Sequence, residues 1–276
     1  MQEIALDEQK KALVNLLEYF DSFCKKHNII YSLGGGTLIG AVRHKGFIPW
    51  DDDIDIYMHY DEYDKFVKYW KDTDNIIFSN LYDKDFKHFY EFAKLYDTNY
   101  LIEDFQHQIH PIFIDIFIYD FVPDDFNLIY KTSKKLKFLK KLTRSFVKRS
   151  NEFAFMKNFF LYFANILDKQ VMRFLKKWRL KYTNENCKNI ALFISEYTKS
   201  THFIMPKEYF NDIVNLSFEG RKFPCMNGYD EHLKKYYGDY MKLPPENSRI
   251  SHHTFKCYKN DKYLKLDRSS KYFIAK

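Results

Sequence analysis

Leu6, Leu13, Leu16, Leu17, Phe20 and Phe23 recur at helical spacing, which predicts an amphipathic helix over about Asp7–His27. A short β-type run, Ile29–Leu33, follows, then a glycine cluster and a short helix over Thr37–His44. Ile54, Ile56 and Met58 alternate with Asp53, Asp55 and Tyr57, the period of a strand with one buried face. Asp61–Lys71 reads as helix, Ile76–Ser79, Phe89–Leu95 and Ile112–Tyr119 as strands, and Tyr100–Glu103 as a weaker one. Two helices are expected between Asp124 and Tyr182. Beyond them come a hairpin, Leu216–Phe218 and Arg221–Phe223 about a Glu219–Gly220 turn, and a helix over Tyr229–Tyr237. Pro244–Pro245 then breaks regular structure. The pattern is mixed α/β (α+β), with no internal repeat or low-complexity linker.

The 276 residues are 46% hydrophobic and 29% charged. A chain of this length buries roughly three quarters of its unfolded surface, so disordered and collagen-like classes are excluded. The net charge of +7 is unevenly spread: Pro123–Lys181 holds sixteen Lys and Arg against four acids, a local +12, which leaves −5 for the rest. A basic segment beside a mildly acidic remainder suits an anionic partner such as phospholipid headgroups or nucleic acid, and solvated helix faces would account for it at least as well. Cys24, Cys187, Cys225 and Cys257 are scattered without C-x-x-C pairing, which argues against a zinc cluster or disulfide framework and fits a reducing compartment. Met1–Leu17 carries Glu3, Asp7, Glu8, Lys10 and Lys11 where a signal peptide needs an apolar core. Asp115 and Asp120 interrupt Ile112–Val122, and Lys157 interrupts Phe153–Leu167, so no membrane span is expected.

Five of the eight glycines, Gly34, Gly35, Gly36, Gly40 and Gly46, fall within thirteen residues. A strand-to-helix turn that offers backbone N–H groups to an anion explains the clustering, although a tight turn without a ligand would also use three glycines. The text after it, "GFIPWDDDIDI", places Asp53 and Asp55 on one face of a strand. Two such carboxylates repel unless a divalent cation sits between them, and their hard oxygens suit Mg²⁺. Asp51 and Asp52 are assigned to shaping the turn after Pro49 and Trp50. Asp115, alone in the apolar run "PIFIDIFIYD", is a third candidate, costly there unless it binds a metal or a partner; a strand-end acid bonded to backbone is the alternative.

Glycine turn, helix, paired aspartates on a strand and a later third aspartate resemble the nucleotidyltransferase superfamily. Leu33–Ile56, "LGGGTLIGAVRHKGFIPWDDDIDI", more closely resembles the LicD family of phosphocholine and related phosphoalkyl transferases, and Phe218–His253 resembles that family's closing segment. The resemblance implies a nucleotidyltransferase-like mixed sheet over residues 1–122, a basic helical insertion over 123–185 and a closing helical and hairpin segment over 186–276. It implies a Mg²⁺-dependent enzyme, with Mn²⁺ as substitute, that moves a phosphoalkyl group, foremost phosphocholine, from a CDP-activated alcohol to a sugar hydroxyl of a glycan or glycolipid, releasing CMP. Asp53, Asp55 and Asp115 would be the catalytic residues and metal ligands. Gly34, Gly35, Thr37, Arg43, His44, Arg249 and His252 would bind substrate. The expected location is cytoplasmic, with the basic helices touching an anionic inner membrane face, and nucleic acid is not an expected partner.

Two other readings stay open. The same fold can pass NMP from a nucleoside triphosphate to a small molecule or protein, although the long "RHKGFIPWDDDID" text exceeds the sparse pattern that superfamily shares. A non-catalytic basic binding protein is the third, which three intact aspartates disfavour.

Overall fold

The computed structural model describes residues 2–79, 92–103, 109–192, 204–250 and 256–260. The chain forms two compact units, one from residues 1–118 and 208–276 and one from 119–207.

In the first unit α1 (Leu6–Lys26) buries Leu13, Leu16, Leu17, Phe20 and Cys24, the face its periodicity predicts. Phe20 meets Tyr31 at 5.0 Å and Phe66 of α3 (Tyr60–Tyr69) at 5.3 Å, ring centroid to centroid. The sheet contains β1 (Gln2–Ile4), β2 (Ser32–Leu33), β3 (Asp55–His59), β4 (Ile76–Ser79), β5 (Ala93–Glu103), the first ten residues of β6 (Ile109–Val122) and β11 (Lys256–Lys259). Its order is β1-β11-β5-β6-β3-β2, with β4 on β5 as well. The expected separate strands Phe89–Leu95 and Tyr100–Glu103 are one strand in their described part. Its register to β6 shifts between Asp97 and Leu101, so β4 pairs with one half and β11 with the other.

Two elements differ from their patterns for identifiable reasons. Of Ile29–Leu33 only Ser32 and Leu33 join the sheet, because the Ile30 N–H donates to the Glu62 carboxylate (2.8 Å) rather than to a strand. β3 is buried on both faces: Tyr57 packs edge-on to Phe117 and His232, so the polar phase of the alternation is filled by an aromatic ring. β9 (Ile213–Phe218) and β10 (Arg221–Met226) form the predicted hairpin, with positive φ at Glu219 and Gly220 as a two-residue turn requires. The Met226 N–H at its end donates to Ser32 Oγ, and α6 (Tyr229–Tyr237) follows.

In the second unit Asp125 caps α4 (Phe126–Glu152) by accepting the Leu128 N–H, and a 3₁₀ turn leads into α5 (Lys157–Lys181). The end of β6 pairs with β7 (Asn189–Ala191), and β7 with β8 (Ile204–Pro206). Asp120, fully buried, takes the Arg179 guanidinium at 2.5 Å, while Trp178 Nε1 donates to the Phe121 carbonyl. These bonds fix α5 to the strand and make Asp120 a structural residue. No helix among the described residues is long and apolar enough to cross a membrane. All four cysteines are buried and free.

Candidate active site

The glycine turn folds tightly against the acidic segment. α2 runs Gly35–Arg43, two residues earlier than Thr37, with Gly34 as its extended N-cap. The Gly34 N–H donates to the Asp55 carbonyl at 2.9 Å. Gly35 has φ +45, and a Cβ there would lie 2.1 Å from Asp55 Oδ2. A Cβ on Gly34 would strike the Tyr57 ring, and one on Gly36 would come 2.5 Å from Asp51 Oδ2. Each of the three glycines therefore makes room for a different side chain of the acidic stretch. The Gly36 N–H, at the positive end of α2, bonds the Asp55 carboxylate, so the first anion this helix receives belongs to the protein itself.

Asp55 opens β3, and Asp53 precedes the strand by two residues. Burial, then the charges of Asp53, Asp115 and Asp51 in that order, pushes the Asp55 carboxyl well above the usual carboxylate range; the Gly36 bond pulls it back only in part. Carboxylate oxygens of Asp51, Asp52 and Asp53 lie within 4.8 Å of one another. The turn is shaped by their backbone, with the Asp51 N–H on the Ile48 carbonyl and buried Gln9 of α1 donating to the Asp52 carbonyl. Their carboxylates join the acidic cluster as well, an arrangement of hard oxygen donors that fits a divalent cation.

Asp115 enters from β6, beside β3, where its N–H donates to the Ile54 carbonyl. Its carboxylate meets Lys94 of β5 at 2.5 Å. Lys94 is itself buried, with Nζ 3.2 Å from the centre of the Phe113 ring. Burial lowers its pKa, and Asp115, then Asp53 and Asp55, raise it back. Lys94 thus belongs to this site although sequence reasoning missed it; the available signal was a cation in an apolar strand run. Glu219 was missed too. From the hairpin turn it accepts the Phe47 N–H at 3.0 Å and fills the space that a Cβ on Gly46 would need.

The remaining sequence-derived residues divide. Thr37 is buried, and its hydroxyl accepts the Asp55 N–H at 2.9 Å, which makes it a support for the aspartate. Arg43 and His44 sit at the far end of α2, about 12 Å along its axis from the glycine turn. Arg43 Nη1 donates to the Tyr240 carbonyl at 2.6 Å and Nε to His44 Nε2, so the guanidinium clamps the segment after α6. Burial and the Arg43 charge lower the His44 pKa. Arg249 lies over Trp50, 6.0 Å from the ring centre, next to the acidic run. His252 falls outside the described residues.

A family model described as LicD/FKTN/FKRP, nucleotidyltransferase domain, matches residues 28–158. The chain is 43% identical to the lipopolysaccharide cholinephosphotransferase LicD of Haemophilus influenzae over 263 residues, 94% of this chain and 99% of that protein. It also resembles uncharacterised proteins of Rickettsia typhi, 51% identical over 57 residues, and Rickettsia prowazekii, 52% over 56 residues. These shorter matches cover 20% and 19% of this chain and 18% and 21% of the relatives.

Proposed function

The chain belongs to the LicD family, and on that premise we propose that it is a transferase of phosphorus-containing groups that moves phosphocholine to a hydroxyl of lipopolysaccharide or its lipid-linked precursor. The donor is a CDP-activated alcohol, CDP-choline first among them, and the other product is CMP. The acceptor oxygen forms a bond to the distal phosphorus as the bond from that phosphorus to the CMP oxygen breaks. The observation that carries this reading is the convergence of Asp51, Asp53 and Asp115 on Asp55 above the glycine turn.

Asp53 and Asp55, with Asp115 beside them, would hold a divalent cation, Mg²⁺ or Mn²⁺. When bound, the cation neutralises charge on the phosphates and aligns the attack. Lys94 holds Asp115 from the neighbouring strand and fixes the carboxylate where it receives the acceptor's proton. The Gly34–Gly35 turn seats Tyr57 and Asp55 tightly against the start of α2, Thr37 locks Asp55, and Arg249 brings positive charge to the rim at Trp50. Contact of the basic helices with an anionic membrane would keep the enzyme beside a lipid-linked acceptor.

Phosphorus NMR of the protein with Mg²⁺, a panel of CDP-alcohols, CTP, ATP and a glycolipid extract tests this, beside an Asp53→Ala control. CMP released from one CDP-alcohol and absent in the control supports the proposal and names the donor. Pyrophosphate released from a triphosphate replaces it with nucleotidyl transfer.

A further inference from the structure

The turn between α4 and α5 carries a patch that the transfer chemistry does not use. Phe153, Phe155, Phe159, Tyr162 and Phe163 are all exposed, Phe155 by 85% and Tyr162 by 63%. Phe153 lies 6.4 Å from Phe155, Phe159 4.8 Å from Phe163 and Tyr162 5.7 Å from Phe163, and the buried ring of Phe160 links the two groups, 6.2 Å from Phe153 and 5.6 Å from Phe159. The opposite side of α5 is already satisfied, since Phe160, Ala164, Val171 and Leu175 are buried. The exposed rings are therefore a second apolar face, at the end of the hairpin, of the kind that marks an interaction surface.

The charge around this patch selects its partner. From Phe126 to Lys181 there are sixteen Lys and Arg and two acids, and every cation except Lys140 and Arg179 is exposed. Arg144, Lys148 and Arg149 approach the turn along α4, and Lys157 leaves it on α5. Aromatic rings at a tip with exposed cations behind them match an anionic bilayer: the rings enter the headgroup boundary while the cations meet lipid phosphates. Base stacking on nucleic acid also uses aromatics among cations. The patch is mostly phenylalanine clustered at one end of the hairpin, whereas a strand would be followed by rings spaced along the basic faces.

We propose that this tip, centred on Phe155 and Phe159, is a docking site for an anionic phospholipid bilayer. The proposal rests on the lipid-linked acceptor named above for its purpose, and its test is independent of catalysis.

The full-length protein is sedimented with vesicles of phosphatidylcholine containing one quarter phosphatidylglycerol, with phosphatidylcholine alone, and with an equal phosphate concentration of single-stranded RNA. Binding to the anionic vesicles, weakened by salt, is expected. The double substitution Phe155→Ser with Phe159→Ser is expected to lower the vesicle partition coefficient about tenfold or more while leaving thermal melting unchanged. A Phe155→Trp variant reports insertion directly, by a blue-shifted emission that lipids brominated in the acyl chain quench. Equal sedimentation of the double variant, an unshifted emission or tighter retention by RNA each overturns the proposal. Absence of phosphocholine transfer to a detergent-solubilised glycolipid extract, with vesicle binding intact, would reject the enzymatic reading and leave the docking site standing.

Discussion

Lys94 and Asp115 are directly opposed in the β5–β6 ladder, and their side chains meet at 2.5 Å inside the protein. That cation stands next to Asp53 and Asp55 in the field of the site, so the acidic cluster holds a built-in counter-charge. Breaking a buried pair by removing one partner is more damaging than the pair's net worth, because the other charge stays buried. Lys94→Met should therefore lower the unfolding free energy by about 3 kcal/mol in urea titrations. Transferase turnover should fall at least about a hundredfold, and its pH profile should move, since Asp115 then loses the Lys94 charge that offsets the neighbouring carboxylates. Wild-type turnover in the variant would remove Lys94 from the site.

Gly35 is under a different constraint. Gly35→Ala adds a methyl group 2.1 Å from Asp55 Oδ2 in a left-handed backbone, so the aspartate must move. A loss of activity of two orders of magnitude or more is expected, since placement errors near 1 Å carry that penalty. Gly238 also has positive φ but nothing within 4 Å of an added Cβ. Gly238→Ala, strained by φ 70 with ψ −131, should lose about 1–3 kcal/mol of stability but keep its activity. Equal effects at the two positions, measured by melting and turnover together, would refute the packing argument.

His232 sets an acid limit on stability. It is 2% exposed, and among the described residues neither ring nitrogen has a hydrogen-bond partner. Burial and then the Lys235 charge lower its pKa to about 4 from 6.5. The unfolded chain thus gains a proton below pH 6.5 that the folded chain refuses until about pH 4, and stability falls as pH drops through that window. The full loss is about 3 kcal/mol, from 1.36 kcal/mol for each pKa unit. His232→Phe should flatten the curve between those limits, read as the difference between variant and wild type in urea unfolding at each pH. Parallel curves would reject a neutral buried imidazole.

Arg43 distinguishes a clamp from a phosphate ligand. Arg43→Ala removes the bond to the Tyr240 carbonyl, and about 2 kcal/mol of stability should go with it. The Michaelis constant for the donor should change little, because the side chain lies at the opposite end of α2 from the glycine turn. A large rise in that constant without loss of stability would return Arg43 to the donor phosphates.

Much of the fold was legible because its signals are local. The periodicity of Leu13–Phe20 placed α1, the Asp-Ile alternation placed β3, and Glu219–Gly220 placed the hairpin turn. Ile30 did not follow its pattern, since Glu62 took its N–H from thirty-two residues away, and Tyr57 took a buried position that alternation assigned to solvent. The candidate site was legible where its residues are close in sequence, from Gly34 to Asp55. It became less so as the contributing elements separated.

The sequence by itself determined the glycine turn, the acidic strand behind it and the basic hairpin, because residue type and spacing fix which way a chain turns and which face is charged. Only the tertiary structure decided that Lys94 opposes Asp115, that Glu219 reaches the Phe47 amide, and that Arg43 turns to a backbone carbonyl. Periodicity says which face of an element points inward. Sheet register and the packing of distant segments choose the partner it meets there, and those follow from the energy of the whole chain.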